Sequence, residues 1–229
     1  MKVYDGCLIM QRQRTIYAAL LATSLLVAAS ACAQTPSTHQ HTFSGAESWA
    51  HYFDDPARDA WQKPHEVIRA LELSPGSKVA DIGAGTGYFS VRIAHMLGSG
   101  RVYAVDIEPD MVHYVRERAK REKLANVRAV LATPTDPRLP EKVDRVLIVD
   151  TYHHIGERAK YFGTLRKYLR PNAQVAIIDF TRDAPMGPPV ESRLPADTVR
   201  AEMERAGYRL LRTPDFLPNQ YFLVFTLAP

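Results

Sequence analysis

The chain has 229 residues, of which 46% are hydrophobic and 24% charged, and this composition is typical of a folded protein rather than a disordered one. Two cysteines exclude a disulfide scaffold and a four-thiolate zinc site. The length allows one domain with a full core, and a net charge of +4 with acids and bases interspersed gives little reason to expect nucleic acid as a partner.

The beginning of the chain has the pattern of a secretory signal. A basic start precedes an uncharged apolar run at 16–31, shorter than the ~20 residues that a membrane-spanning helix needs, and small residues then lead directly into Cys32. This ending resembles a bacterial lipobox, in which the cysteine is lipid-modified and becomes the mature N-terminus, although Ala29 stands where leucine is usual. We therefore expect residues 1–32 to be a signal peptide.

The lipobox resemblance implies a protein on the periplasmic side of the bacterial cell envelope, anchored by lipid at Cys32. Three alternatives stay open: an ordinary signal peptide cleaved nearby, an uncleaved signal that anchors the protein in the membrane, and a signal that is not used, which leaves the protein in the cytoplasm. Residues 33–45 are polar, with Pro and Gly and no apolar period, and are expected to form a flexible tether. The domain is expected at 46–229, without a metal site.

Helix-like and strand-like stretches alternate from residue 46 onward. Helices are predicted at 46–72 (in two pieces, broken at 54–56, the second starting near Pro64), after residue 87, after residue 109, at 157–169 and at 195–206. Strands are predicted at 78–82, 101–107, 127–131, 143–150, 173–180, 208–213 and 220–227. This order predicts a Rossmann-like α/β fold: a seven-stranded, mainly parallel sheet with helices on both faces and an antiparallel C-terminal hairpin.

The strongest chemical signal is the glycine loop at 83–87, Gly-Ala-Gly-Thr-Gly, between the first strand and a helix. Glycines allow positive φ angles and a close approach of backbone to a ligand. Because position 88 is Tyr, the G-x-G-x-x-G fingerprint of dinucleotide-binding proteins is not met. Asp81 lies at the end of the preceding strand. Asp106 ends the next strand, where a carboxylate can accept both hydroxyls of a ribose.

Four segments resemble motifs of the class I S-adenosylmethionine (SAM)-dependent methyltransferases, in the order expected for that superfamily. They are VADIGAGTGYFS at 79–90, VYAVDI at 102–107, VDRVLIVD at 143–150 and LRPNAQVAIIDF at 169–180. The resemblance covers about residues 62–227. It implies SAM as the cofactor and methyl transfer as the reaction.

The resemblance also implies roles for the residues around the glycine loop. Gly83, Gly85 and Gly87 would line the methionine half of SAM. Asp81 would hold its ammonium group, directly or through water, or would instead cap the amides of the loop. Asp106 would bind the ribose diol, its alternative being an acid at a helix N-terminus.

Four further residues are expected near the adenine. Ile107 and Met111 would pack on it, although Met111 is equally expected in the core. The loop after the third strand would form the edge of the adenine site. There Thr133 stands where many relatives have an acid, and Asp136 either takes over that role or only starts a turn.

Candidates for a general base lie at the carboxyl end of the fourth strand, in Asp150, His153 and His154, and Asp150 is also expected to contact SAM. Ligands bind at this edge in open α/β sheets, and histidine titrates near neutrality. We expect extended chain here, in which adjacent side chains point in opposite directions, so that one His faces the pocket. The alternative is that both pack or cap the next helix. Asp179 is expected either to face the acceptor or to make a structural hydrogen bond.

The methyl acceptor is expected to be a small or lipophilic molecule, and the protein a monomer. Arsenite is disfavoured because at most one cysteine, Cys32, lies outside the signal. An aromatic stretch at 49–63 is expected either to cover SAM or simply to pack. The Pro-rich segment 182–194 is expected either to shape the acceptor pocket or merely to connect. The rival hypothesis is a non-catalytic envelope binding protein that retains the fold.

Overall fold

A computed structural model of the chain describes residues 45–229. The predicted signal peptide, Cys32 and nearly all of the tether lie outside the described residues. Within the described part, no helix has the length and apolar character needed to cross a membrane.

Helices and strands alternate as predicted. The α-helices are α1 (Ala46–Phe53), α2 (Arg58–Gln62), α3 (Pro64–Ala70), α4 (Tyr88–Met96), α5 (Pro109–Arg121), α6 (Arg158–Leu165) and α7 (Ala196–Arg205). The strands are β1 (Lys78–Ile82), β2 (Arg101–Asp106), β3 (Val127–Leu131), β4 (Val143–Val149), β5 (Leu169–Phe180), β6 (Tyr208–Arg212) and β7 (Gln220–Leu227).

The strands form one seven-stranded sheet in the order β3-β2-β1-β4-β5-β7-β6. Strands β1 to β5 pair in parallel, and β7 is antiparallel to both β5 and β6. The predicted fold class is therefore confirmed. The chain winds outward from β1 to β3 and then returns to β4 beside β1. This reversal creates a crevice at the carboxyl ends of β1 and β4, which is where ligands bind in sheets of this kind.

Helices cover both faces of the sheet. Because the side chains on both faces of the central strands are therefore buried, these strands are continuous apolar runs. One face carries α3, α4 and α5, with Ile68 and Ile93 fully buried against the strands. The other face carries α6 and α7, with Phe162 and Met203 in its core. Because both faces are covered, polar groups of the sheet can meet a ligand only at its edges.

Three differences from the predicted elements exceed two residues. The N-terminal helical region has three helices rather than two: α3 begins at Pro64 as predicted, but a short additional helix, α2, precedes it and ends just before Lys63, which has a left-handed conformation (φ 45°). Helix α6 ends at Leu165 and is followed by a 3₁₀ turn, Arg166–Tyr168. Strand β5 begins four residues early, since Leu169 already pairs with Val143 before a register irregularity.

Candidate cofactor site and active site

The glycine loop lies tightly against the strands that flank it. Gly83, Gly85 and Gly87 have φ angles of 71°, 54° and 88°, which favour glycine. The amides of Gly83 and Ala84 both donate to the carbonyl of Val105, at 2.8 and 3.0 Å. A Cβ atom on Gly83 would lie 2.2 Å from Oγ1 of Thr151, just after β4. The loop therefore requires glycine both for its conformation and for its packing.

Asp106 lies at the end of β2, directly beside this loop. Its Oδ2 accepts a hydrogen bond from the Gly85 amide at 2.9 Å, and its Oδ1 accepts one from the Glu108 amide at 3.0 Å. Burial raises the pKa of Asp106, and the backbone donors partly oppose the rise. The two amides fix the orientation of the carboxylate, while each oxygen keeps acceptor capacity for a ligand hydroxyl.

Asp81 is buried beneath the loop in β1. Its Oδ2 accepts the hydroxyl of Ser90 in α4 at 2.6 Å, so its described partner is this side chain and not an amide of the glycine loop. Burial raises the pKa of Asp81 to about 6, a rise that the Ser90 hydrogen bond and the charge of Arg58 oppose. The assignment of Asp81 to the ammonium of SAM stays a prediction.

The four residues predicted near the adenine occupy different environments. Ile107 is 54% exposed after β2, and Met111 in α5 is only 1% exposed. Thr133 and Asp136 form an isolated backbone bridge. Oδ1 of Asp136 accepts the Arg138 amide at 2.7 Å, as expected for a residue that starts a turn. An adenine contact of any of these residues stays a prediction.

The two histidines lie in a 3₁₀ turn, Tyr152–His154, and not in extended chain. The expectation that their side chains point in opposite directions is therefore wrong: the two rings lie 4.1 Å apart. Nδ1 of the buried His153 is 2.8 Å from Oδ2 of the buried Asp179 in β5. Burial lowers the pKa of His153, but its hydrogen bond with Asp179 and the carboxylate charge outweigh burial and raise it overall. His154 is half-buried beside it.

Asp150 follows β4 and has a left-handed backbone (φ 52°). Its Oδ1 accepts a hydrogen bond from Nε2 of Gln220 in β7 at 2.6 Å, and its Oδ2 lies 3.6 Å from Nη2 of Arg58 in α2. Burial raises the pKa of Asp150 to about 7, and the positive charge of Arg58 opposes the rise. A carboxyl group whose pKa lies near neutral pH can both accept and release a proton there, so Asp150 is a candidate for proton transfer.

Sequence reasoning missed three polar residues that connect α2 to this site: Arg58, Gln62 and Gln220. Gln62 is fully buried and donates to Oε1 of Gln220 at 2.7 Å, and Gln220 donates in turn to Asp150. Oε1 of Gln62 accepts from Nε and Nη2 of Arg58. The aromatic stretch at 49–63, which includes Gln62, was the available signal, because it indicated that this segment packs against the domain. Nothing near Gln220 in the sequence indicates its role.

Helix α1 covers the glycine loop. A Cβ on Gly85 would lie 3.5 Å from the ring of Phe53, which stacks on Trp49 at 5.5 Å between ring centres. Nη1 of Arg118 in α5 donates both to Asp54, just after α1, and to the carbonyl of Thr86 in the loop. The aromatic stretch thus packs over the predicted cofactor loop.

The Pro-rich segment after β5 is organised by one buried guanidinium. The nitrogens of Arg193 donate to backbone carbonyls along residues 181–188, namely those of Thr181, Arg182, Ala184, Met186 and Pro188. At the end of β5, Phe180 contacts Trp61 of α2, with 5.6 Å between ring centres. The segment has a defined conformation beside the carboxyl edge of the sheet.

The residues present fit a SAM molecule. The backbone of the glycine loop is free of side chains at three positions, and Asp106 offers a fixed carboxylate for a ribose diol. The hydroxyl of Thr86, within the loop, is buried and makes no hydrogen bond to any described residue, so a ligand acceptor would satisfy it. Within residues 45–229, no group of three or more His, Cys, Asp or Glu residues could hold a metal ion.

Comparison with known proteins agrees with this fit. The profile of a family described as "Methyltransferase domain" matches residues 73–212, more than half of the chain. A solved structure of a SAM-dependent methyltransferase from Aquifex aeolicus is 28% identical, with a TM-score of 0.74, and the match covers 79% of this chain and 98% of that one.

Curated relatives match over shorter stretches. Phosphoethanolamine N-methyltransferase of Triticum aestivum is 29% identical over 63% of this chain and 27% of its own length. (S)-coclaurine N-methyltransferase of Thalictrum flavum subsp. glaucum is 29% identical over 37% of this chain and 23% of its own length. The chain spans only about a quarter of these two relatives. The fold, the cofactor cradle (the glycine loop 83–87 and Asp106) and the family match all agree. This chain belongs to the SAM-dependent methyltransferases with a class I fold.

Proposed function

We propose that this protein transfers the methyl group of SAM to a small or lipophilic acceptor. The observation that carries the proposal is the position of a polar cluster next to the cofactor cradle. Asp150 and His153 follow β4, and Asp179, the hydrogen-bond partner of His153, lies at the end of β5. All three are at the same edge of the sheet as the glycine loop after β1. Cofactor and acceptor residues thus lie at one carboxyl edge.

The chain's contribution to the reaction is mainly alignment. The sulfonium of SAM supplies an activated methyl group. Aligning the acceptor atom, the methyl group and the sulfur therefore accounts for most of the rate acceleration. A base is needed only when the acceptor atom carries a proton, which then passes to the enzyme as the methyl bonds to that atom. We assign this role to the half-buried His154. Asp179 holds His153, and His153 orients the ring of His154 against it.

The choice of a small acceptor rests on the relatives and on the charge of this chain. Two of its relatives bear the names of small amines, coclaurine and phosphoethanolamine. The interspersed charges of the domain give no support for nucleic acid, and the thiol-poor sequence gives none for arsenite. Acidic groups at the acceptor side, Asp150 above all, suit an amine or a hydroxyl acceptor.

Calorimetric titration of residues 33–229 with SAM, followed by transfer of a tritiated methyl group to cell-envelope extracts, tests the proposal. We expect micromolar or tighter binding and a labelled extract component. His154→Ala should bind SAM unchanged and label the component at least tenfold more slowly. Absence of SAM binding contradicts the proposal, and binding without transfer supports the rival, a non-catalytic binding protein.

We also propose that the protein acts at the bacterial envelope, tethered by lipid at Cys32. The support is the sequence pattern of residues 1–32 alone. In a bacterial host fed an alkynyl fatty acid, the full chain should acquire the label and fractionate with membranes, and Cys32→Ser should do neither. An unlabelled wild-type protein in the cytoplasmic fraction contradicts the anchor and leaves the methyltransferase proposal standing.

A further inference from the structure

The side chain of Arg58 lies at the cofactor crevice, although α2 precedes the region that the family profile matches. Its guanidinium carbon is 4.2 Å from the centre of the Tyr88 ring, and Tyr88 is the first residue of α4, directly after the glycine loop. Its Nη2 lies 3.6 Å from Oδ2 of Asp150 at the end of β4. Arg58 is therefore a cation between the carboxyl ends of β1 and β4.

The guanidinium is held in place but keeps donors for a ligand. Nε and Nη2 donate to Oε1 of Gln62, and Nη1 donates to the carbonyl of Phe53. One N–H on each terminal nitrogen has no hydrogen-bond acceptor among residues 45–229. The side chain is only 15% exposed, so water competes weakly for those donors. A rigid guanidinium with two such donors matches the geometry of a carboxylate.

Other cations around the loop are engaged with protein groups. Arg92 stacks on the Tyr88 ring at 3.9 Å, and its Nη2 binds Asp59 at 3.0 Å. Arg118 pairs with Asp54 and Glu122. Arg58 differs from both, because its acidic neighbour, Asp150, is at ion-pair distance without a hydrogen bond between them.

The amino-acid end of SAM is a zwitterion, and the crevice has groups of both signs for it. Asp81, buried beneath the glycine loop, is an acid suited to the ammonium group. The carboxylate needs a cation or amide donors. Thr86, in the same loop, adds a buried hydroxyl that makes no hydrogen bond to any described residue.

We propose that Arg58 binds the carboxylate of the amino-acid end of SAM, so that α2 supplies a cofactor-specificity residue from outside the matched domain. This inference rests on the proposed function, since it presupposes SAM as the cofactor. It predicts that the protein discriminates between adenosyl ligands that differ only in this carboxylate.

The test compares two ligands on matched variants. One ligand is S-adenosylhomocysteine, and the other is its decarboxylated form, which keeps the amino group. Calorimetry should show wild type binding the first about 10–100-fold more tightly, as expected for charge-assisted hydrogen bonds. Arg58→Met should bind both ligands within about threefold of each other. Arg92→Met removes the other cation that stacks on the Tyr88 ring, and this variant should keep the wild-type ratio.

Each result has a distinct meaning. A wild-type ratio near one, or an unchanged ratio in Arg58→Met, overturns the assignment of Arg58 while leaving the cofactor proposal intact. Failure of wild type to bind either ligand overturns the cofactor proposal itself. If Arg58→Met does not fold, judged by circular dichroism, Arg58→Lys replaces it: this variant keeps the charge without the planar fork, and its ratio should fall between wild type and one.

Discussion

Two backbone amides, those of Gly85 and Glu108, fix the orientation of the Asp106 carboxylate. We predict that this carboxylate binds the ribose of the cofactor, and replacing Asp106 with Ala removes it. We expect binding of S-adenosylhomocysteine to weaken by about 2–3 kcal/mol, the range for hydrogen bonds to a charged group. Calorimetry measures this, with Asp197→Ala, an exposed acid at the start of α7, as control. Equal affinities of wild type and Asp106→Ala would refute the ribose assignment.

Asp150 makes the stability of the fold depend on pH. Its pKa is about 7 in the folded protein against an ordinary 3.8, because burial disfavours the charged form. A raised pKa means that the folded state binds the proton more tightly. The contribution of this carboxyl is therefore complete below about pH 4 and is lost as the pH rises through about 7.

The variant Asp150→Asn isolates this effect, since an amide oxygen still accepts the Gln220 hydrogen bond. Urea denaturation at about pH 5 and pH 8 should show wild type losing free energy of unfolding over that interval, and the variant losing less. Asp81, whose raised pKa of about 6 acts in the same direction, is present in both proteins and leaves a residual slope. An identical loss in the two proteins would show that Asp150 does not titrate in this range.

At the scale of elements, the segment after β5 depends on Arg193. Its guanidinium replaces the regular hydrogen bonds that a Pro-rich chain lacks, by binding carbonyls along residues 181–188. Arg193→Met should lower the free energy of unfolding by about 1.5–3 kcal/mol and expose this segment to proteolysis. Digestion timed by mass spectrometry measures it. Arg182→Met, at an exposed position of the same segment, is the control, and equal digestion rates would contradict the role of Arg193.

The elements that sequence predicted well are those with local signals. Apolar runs defined the parallel strands, and the glycines of 83–87 together with the acid of Asp106 defined the cofactor crevice. The start of α3 at Pro64 was predicted, but the short helix α2 before it was not, because the left-handed lysine at position 63 that ends α2 has no local signature. The same holds for the 3₁₀ turn at 152–154, which brings the two histidines together.

Contacts between distant residues account for most of what the sequence could not show at the site. Gln62 and Gln220 are 158 positions apart, and their hydrogen bond exists only because β7 lies beside β5 in the folded sheet. Arg58 likewise reaches Asp150 only after α2 packs over the carboxyl edge. From the sequence alone, polar residues of this kind cannot be distinguished from ordinary surface residues, because the sheet order that brings them together is not known.

At the scale of the whole described domain, the N-terminal helices and the sheet meet at the cofactor crevice. Arg118 of α5 connects them, because it binds Asp54 after α1 and the Thr86 carbonyl in the glycine loop. Ligand binding should therefore be coupled to the docking of α1, whose Phe53 lies over Gly85. A ligand at about 100 times its Kd stabilises a protein by about 2.7 kcal/mol.

Arg118→Met should loosen α1 and so reduce this stabilisation. If the affinity falls about tenfold, the same concentration of S-adenosylhomocysteine gives only about 1.4 kcal/mol, and the ligand-induced rise in Tm shrinks to roughly half. Differential scanning calorimetry with and without ligand measures the rise. Arg121→Met, an exposed arginine on the same helix, should keep the wild-type shift. An Arg118 variant with a lower Tm but an undiminished ligand shift would mean that α1 stabilises the fold without contributing to the cofactor site.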